Sequence, residues 1–216
     1  MTFLTQANFP GLWKVFQYWI GGTVDKRRLC LSKYQGQRNI LEVGCSVGNI
    51  AQAFLNLPNI RYTGLDIDEC AIRHAKQSFK RHKNFTFIAE NLESFTSVER
   101  KFDYLLFAGV CHHVNDESLL KMLSLASLLL SKDGQLIVVD PVLPEPSDPK
   151  FFSLFLKLEQ GSNVRSGASL ESLLRRANEL TLNDSEYHFV ASTPFAAPKC
   201  ARFGLYVLKC KNHEQI

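Results

Sequence analysis

The stretch LEVGCSVG (41–48) sets an acid, Glu42, ahead of three small residues at alternate positions, Gly44, Ser46 and Gly48. Small side chains at that spacing leave backbone bare for the close approach of a ligand, and glycine also accepts left-handed conformations. A second acid, Asp66, follows at the separation of about 20 residues at which a carboxylate accepts both hydroxyls of a ribose held by such a loop. A third group is the pair His112–His113 with Asp140 further on. A carboxylate bonded to one imidazole nitrogen orients the ring and stabilises its cation, so the other nitrogen can take a proton. Of the two histidines His112 is preferred as the base, with His113 expected to point into the fold. The alternative is that the histidines pack or cap the next helix, and that Asp140, just before Pro141, ends a strand and caps a turn.

These residues need elements that bring them together. Strand patterns at NILEVGC (39–45), IRYTGLDI (60–67), FTFIAEN (85–91), FDYLLFAG (102–109) and GQLIVVDPV (134–142) recur along the chain. Helical patterns at NIAQAFLNL (49–57), ECAIRHAKQSFKRH (69–82) and DESLLKMLSLASLLL (116–130) alternate with them. Such alternation predicts an α/β fold with a mostly parallel sheet covered on both faces. A proline-rich and then apolar insertion covers about 144–167, and a helix is predicted over 169–180 with Ser169 as its N-cap. EYHFVAST (186–193) and RFGLYVLKC (202–210) close the chain as a hairpin, which makes one strand antiparallel. Ligands of open parallel sheets bind outside the carboxyl ends of the strands, where 44–48 and Asp66 fall. Neighbouring strands lie about 4.8 Å apart, so the histidines and Asp140 can meet at the same mouth.

A small-residue loop with a ribose-binding acid suits two cofactors. A dinucleotide requires G-x-G-x-x-G, with its pyrophosphate on a helix N-terminus. Here the register Gly44, Ser46, Asn49 fails at its last position, and Glu42 adds negative charge. S-adenosylmethionine carries no phosphate and has a cationic amine, so it tolerates Glu42, directly or through water. At this point the chain resembles the class I S-adenosylmethionine-dependent methyltransferases over about residues 38–142. LEVGCSVG is similar to their E/D-x-G-x-G-x-G motif, with Ser46 in place of the middle glycine. YTGLDID is similar to the second motif and FIAENLESF to the third, where Asn91 replaces an aspartate that binds the adenine amine. FDYLLFAGVCHHVND and LLLSKDGQLIVVD follow in order.

The resemblance implies a Rossmann-like, seven-stranded sheet in the order 3-2-1-4-5-7-6 with the last strand antiparallel. It implies cofactor contacts from Glu42, Gly44, Cys45, Ser46, Gly48, Asp66, Ile67, Asn91, Leu92 and Ala108, and catalysis by His112 or His113 with Asp140. It also implies a helical lid over about 1–36 carrying Tyr18 and Trp19, and a cap over 144–167. There Phe151, Phe152 and Phe155 line an acceptor pocket or dock the cap. EQGSNVRS is similar to a segment of some bacterial methyltransferases, in which Gly161 and Arg165 fit; Arg165 then binds an acidic acceptor or serves as a structural arginine. DPVL (140–143) is like a nucleobase-amine methyltransferase tetrapeptide, but it follows the fifth strand rather than the fourth and is discounted.

The bulk properties narrow the choice. A length of 216 residues suits one domain, and a net charge of +4 without a basic block is no nucleic-acid footprint. Six cysteines without a CxxC pair suggest reduced thiols in a cytoplasmic protein, and no metal-ligand spacing is present. FPGLWKVFQYWIGG (9–22) is shorter than the ~20 residues of a membrane span. The expected activity is methyl transfer to a small-molecule hydroxyl. The rivals are a cofactor-binding regulator without catalysis, a protein methyltransferase and, less in keeping with the loop, an oxidoreductase. Oligomeric state is left open.

Overall fold

The computed structural model describes residues 23–95, 101–149, 152, 162–191 and 199–211. Helix α1 (Thr23–Ser32) leads into β1 (Asn39–Val43), β2 (Arg61–Asp66), α2 (Glu69–Ser78), β3 (Phe85–Ala89) and the single turn α3 (Leu92–Phe95). Then come β4 (Phe102–Ala108), α4 (Asp116–Leu129), β5 (Leu130–Val142), α5 (Gly167–Arg175), β6 (Leu180–Ala191) and β7 (Lys199–Cys210). The strands form one sheet in the order β3-β2-β1-β4-β5-β7-β6. Pairing is parallel from β3 to β5 and antiparallel on both sides of β7. The fold predicted from the motifs is therefore the fold observed.

Its apolar strands are explained by two-sided burial, since successive side chains on a strand point to opposite faces. Leu41, Leu105 and Val138 pack with Leu119, Leu123, Leu173 and Leu174 of α4 and α5. Their neighbours Ile40, Leu106 and Ile137 pack on the other face with Phe54, Ile72 and Phe79. Helix α1 closes that second face: Leu29 and Cys30 are buried, Tyr104 Oη donates to the Cys30 carbonyl at 2.6 Å, and Arg27 donates to the Asn49 carbonyl at 2.6 Å.

Some boundaries differ from the sequence expectation. The helix predicted over 49–57 is reduced to a 3-10 turn, Ala51–Phe54, anchored by the buried Phe54. Pro58 disfavours helical backbone at the residue before it and so limits the segment after Gly48. The cap of α5 is Ser166, whose hydroxyl accepts from the Ser169 amide at 3.1 Å, so the helix begins before Ser169. Strands β6 and β7 are longer than predicted because each pairs along its whole length. Residues 1–22 of the predicted lid and residues 150, 151 and 153–161 of the predicted cap lie outside the described residues. Among the described residues, no helix is long and apolar enough to cross a membrane, and no group of ligating side chains could hold a metal. Cys30, Cys45 and Cys111 are buried free thiols, which burial pushes above the ordinary thiol range.

Candidate active site

The loop after β1 is built by backbone. The amides of Gly44 and Cys45 both donate to the Leu65 carbonyl, at 2.8 and 2.9 Å, which fixes the loop against the end of β2. Gly44, Ser46 and Gly48 all adopt positive φ, of 73°, 52° and 80°. A Cβ on Gly44 would stand 2.5 Å from the Val110 side chain, and one on Gly48 2.8 Å from the Phe79 ring. Ser46 holds the left-handed conformation without being glycine, at a cost of about 1–2 kcal/mol. Its amide donates to Asp66 Oδ2 at 2.8 Å, while the Asp68 amide donates to Oδ1 at 2.9 Å. Each carboxylate oxygen of Asp66 thus accepts one amide and keeps capacity for a hydroxyl. Burial raises the Asp66 carboxyl above its ordinary value, and these two amides pull it back.

Around this loop, Ile67 is 78% exposed, an unusual setting for a large apolar side chain. Leu92 is buried under α3, and Asn91 Oδ1 accepts from the Ser94 amide at 2.8 Å. The carbonyl oxygen expected to meet adenine therefore also caps a helix, with its second lone pair remaining for a ligand. Glu42 is 1% exposed beneath the loop, where the Tyr62 hydroxyl bonds to it. Burial pushes its carboxyl up to about 8.

The fourth strand supplies the second half of the site. Gly109 turns with φ 75°, and a 3-10 turn, Cys111–His113, follows. His112 is 3% exposed, and Asp140 is 1% exposed. His112 Nδ1 stands 3.1 and 3.3 Å from the two oxygens of Asp140, and the Cys111 amide donates to Oδ1 at 3.1 Å. An acceptor-only carboxylate on Nδ1 selects the tautomer with the proton there, which leaves the lone pair on Nε2. His113 is exposed, its ring centroid 4.0 Å from that of His112. The expected burial of the two histidines is reversed: the one held by Asp140 is the buried one. Asp140 does not end its strand; β5 runs on through Pro141, beyond the last β4 pairing at Val139, where one side has no strand neighbour and proline is tolerated.

Residues 40–134 match the family model for a methyltransferase domain. The 6-hydroxytryprostatin B O-methyltransferase of Aspergillus fumigatus is 30% identical over 112 residues, which are 51% of this chain and 32% of that protein. Over this segment the chain is similar to the class I S-adenosylmethionine-dependent methyltransferases. The myricetin 3-O-methyltransferase 3 of Solanum habrochaites is 24% identical over 157 residues, covering 68% of this chain and 41% of the relative. This chain thus spans about a third to two fifths of these curated relatives. Human N-acetylserotonin methyltransferase, solved with S-adenosylmethionine, shares the fold with a TM-score of 0.69 at 17% identity, over 96% of this chain and 56% of that one.

One residue near the site lies where the sequence gave little signal. Lys26 of α1 places its ammonium 4.0 Å from where a Cβ on Gly109 would stand and 5.1 Å from the centre of the Phe203 ring. His112 Cε1 is 3.8 Å from the same point. Nothing around Lys26 in the sequence marks it, because α1 reaches the site only through tertiary packing. Of the two roles considered for Arg165, the structural one fits its contacts: its guanidinium is engaged by Asp116 and by carbonyls of the chain. Ala108, at the end of β4, is half-buried beside Gly109. Phe152 is buried, 5.5 Å from Phe189 between ring centres. Tyr18, Phe151 and Phe155 lie outside the described residues.

Proposed function

We propose that this protein transfers a methyl group from S-adenosylmethionine to a hydroxyl of a small molecule, with His112 as general base. The observation that carries the proposal is the buried His112–Asp140 pair set beside Gly109, next to a loop of bare backbone that ends on Asp66. The site fits the cofactor: three consecutive alternate residues at positive φ keep side chains off its path, Asp66 retains acceptor capacity for a ribose, and Ile67 offers an uncovered apolar face to adenine. Asn91 would accept from the adenine amine. Lys26 would face the carboxylate of the methionine part, near Ala108 and Gly109. When bound, the cofactor supplies an already activated methyl group, so the protein's task is mainly positioning.

The remaining chemistry belongs to the chain. Nε2 of His112 takes the acceptor's hydroxyl proton as the oxygen becomes a nucleophile, and Asp140 stabilises the imidazolium formed. A hydroxyl acceptor is also what the names of the two curated relatives point to. Asp140 and the turn amide of Cys111 hold the ring in place through one shared carboxylate, so geometry and protonation are set together. Cytoplasmic location, a covering role for the segments 1–36 and 144–167, and acceptor contacts from Tyr18, Phe151 and Phe155 belong to the same proposal.

The test begins with calorimetric binding of S-adenosylmethionine, S-adenosylhomocysteine and NAD. Micromolar affinity for the two sulfur compounds, weakened at least tenfold (~1.4 kcal/mol) in Asp66→Ala, is expected. NAD binding in their place would overturn the assignment. S-adenosylhomocysteine formation is then followed over a panel of phenolic and carboxylic hydroxyl acceptors. His112→Ala should lose turnover by about 100-fold or more while keeping cofactor affinity, and His113→Ala should lose far less. A cofactor-binding regulator is the second reading, favoured by the strained Ser46 and the capping role of Asn91; binding without turnover on small-molecule or protein acceptors would support it.

A further inference from the structure

The turn that carries His112 is held from two sides. On its amide side, Asp140 accepts from the Cys111 amide and from the His112 ring. On its carbonyl side stands the end of the 144–166 segment. Arg165 donates through Nη1 to the Cys111 carbonyl at 2.7 Å and through Nη2 to the Val114 carbonyl at 2.8 Å. The carbonyl between them, that of His112 itself, accepts from the Asn163 amide at 3.0 Å. Nη1 also reaches the Asn163 carbonyl at 3.1 Å, and Nε donates to Asp116 Oδ1 at 2.8 Å, at the start of α4. The Arg165 side chain is 8% exposed. Its backbone pairs with the end of β5: Val142 and Arg165 form a parallel bridge, and the Leu143 amide donates to the Arg165 carbonyl at 2.9 Å.

The insertion therefore leaves β5 just after Asp140 and returns onto the carbonyls of the His112 turn. We propose that Arg165 is a positioning residue, through which the returning end of the insertion sets the orientation of His112 against Asp140. A planar guanidinium suits this task, since its fixed fork of donors holds two carbonyls and a carboxylate in one plane, which an ammonium cannot do. A displacement of about 1 Å at the reacting group is enough to lose roughly 100-fold in rate. The proposal rests on His112 being the base.

The experiment compares wild type with Arg165→Lys, Arg165→Ala and Asp116→Asn, the last removing the carboxylate arm while leaving the arginine. The ring of His112 is titrated by NMR in cofactor-free protein, and kcat, KM and S-adenosylhomocysteine affinity are measured across pH. In Arg165→Lys, a shifted His112 titration, kcat lower by about 10- to 100-fold and cofactor affinity within about threefold of wild type are expected. Added methylguanidinium should restore part of kcat to Arg165→Ala; where that variant does not fold, Arg165→Lys and Asp116→Asn carry the test. An unchanged His112 titration and pH profile, with only a lower melting temperature, would overturn the proposal. His112→Ala run alongside separates the two failures: retained turnover there removes the base itself, and lost turnover with a normal Arg165→Lys removes only the positioning role.

Discussion

Glu42 is a buried acid in β1, two residues before the loop residue Gly44. Its carboxyl, ordinarily near 4.5, is pushed up to about 8 by burial, against a smaller lowering by the Tyr62 hydroxyl. It is therefore mostly neutral in the folded protein at pH 7, whereas the unfolded chain ionises it above pH 4.5. The linkage follows directly: its contribution to stability is complete below about 4.5 and is lost as pH rises through about 8. Glutamine keeps the shape and has no such loss. Glu42→Gln is expected to be more stable than wild type by about 4 kcal/mol at pH 8, the two converging below pH 4.5, as denaturant melts across pH would show. The opposite sign would mean that the acid is ionised in the fold. The identity of Glu42 was legible in its motif, but its burial was not. Alternation along β1 says only that one side chain faces away from its neighbours, and in a sheet covered on both faces neither direction is solvent.

At the scale of elements, the loop 44–48 carries its constraint in three positive φ angles, and one of them falls on a serine. The Ser46 side chain contributes no hydrogen bond among the described residues; the bond to Asp66 comes from its amide, which glycine also has. Ser46→Gly should therefore raise stability by about 1 kcal/mol and leave the Asp66 contact intact, measured as a higher denaturation midpoint with unchanged or tighter S-adenosylhomocysteine affinity. Elements with strong local signals were read correctly: β1, β2, β4, α2 and α4 each fall within or close to the predicted stretches. The expected helix after the loop was not observed, because apolar spacing over 49–57 marks burial of Ile50, Ala51 and Phe54 and not the helical state itself. For Arg165 the sequence left a structural role beside an acceptor-binding one, and it could not name the partners, which come from α4 and the His112 turn, distant along the chain.

For the whole molecule, the order of strands in space is not the order in the chain. Strand β7 lies between β5 and β6, pairing with both. Strand β6 has β7 as its only strand neighbour in the described sheet, and Lys33, at the end of α1, reaches across to Asp184 and Glu186 on that strand at 2.8 and 2.5 Å. During synthesis, residues 39–142 can assemble the five parallel strands and both members of the His112–Asp140 pair while the ribosome is still making the rest. Strand β6 then has nothing to pair with until the residues up to 210 have left the ribosome, and the flank of β5 beside Asp140 stays open for the same interval. The nascent chain therefore passes through a stage with two unpaired strand edges, the state most prone to wrong pairing with other chains, and β7 is the strand that ends it.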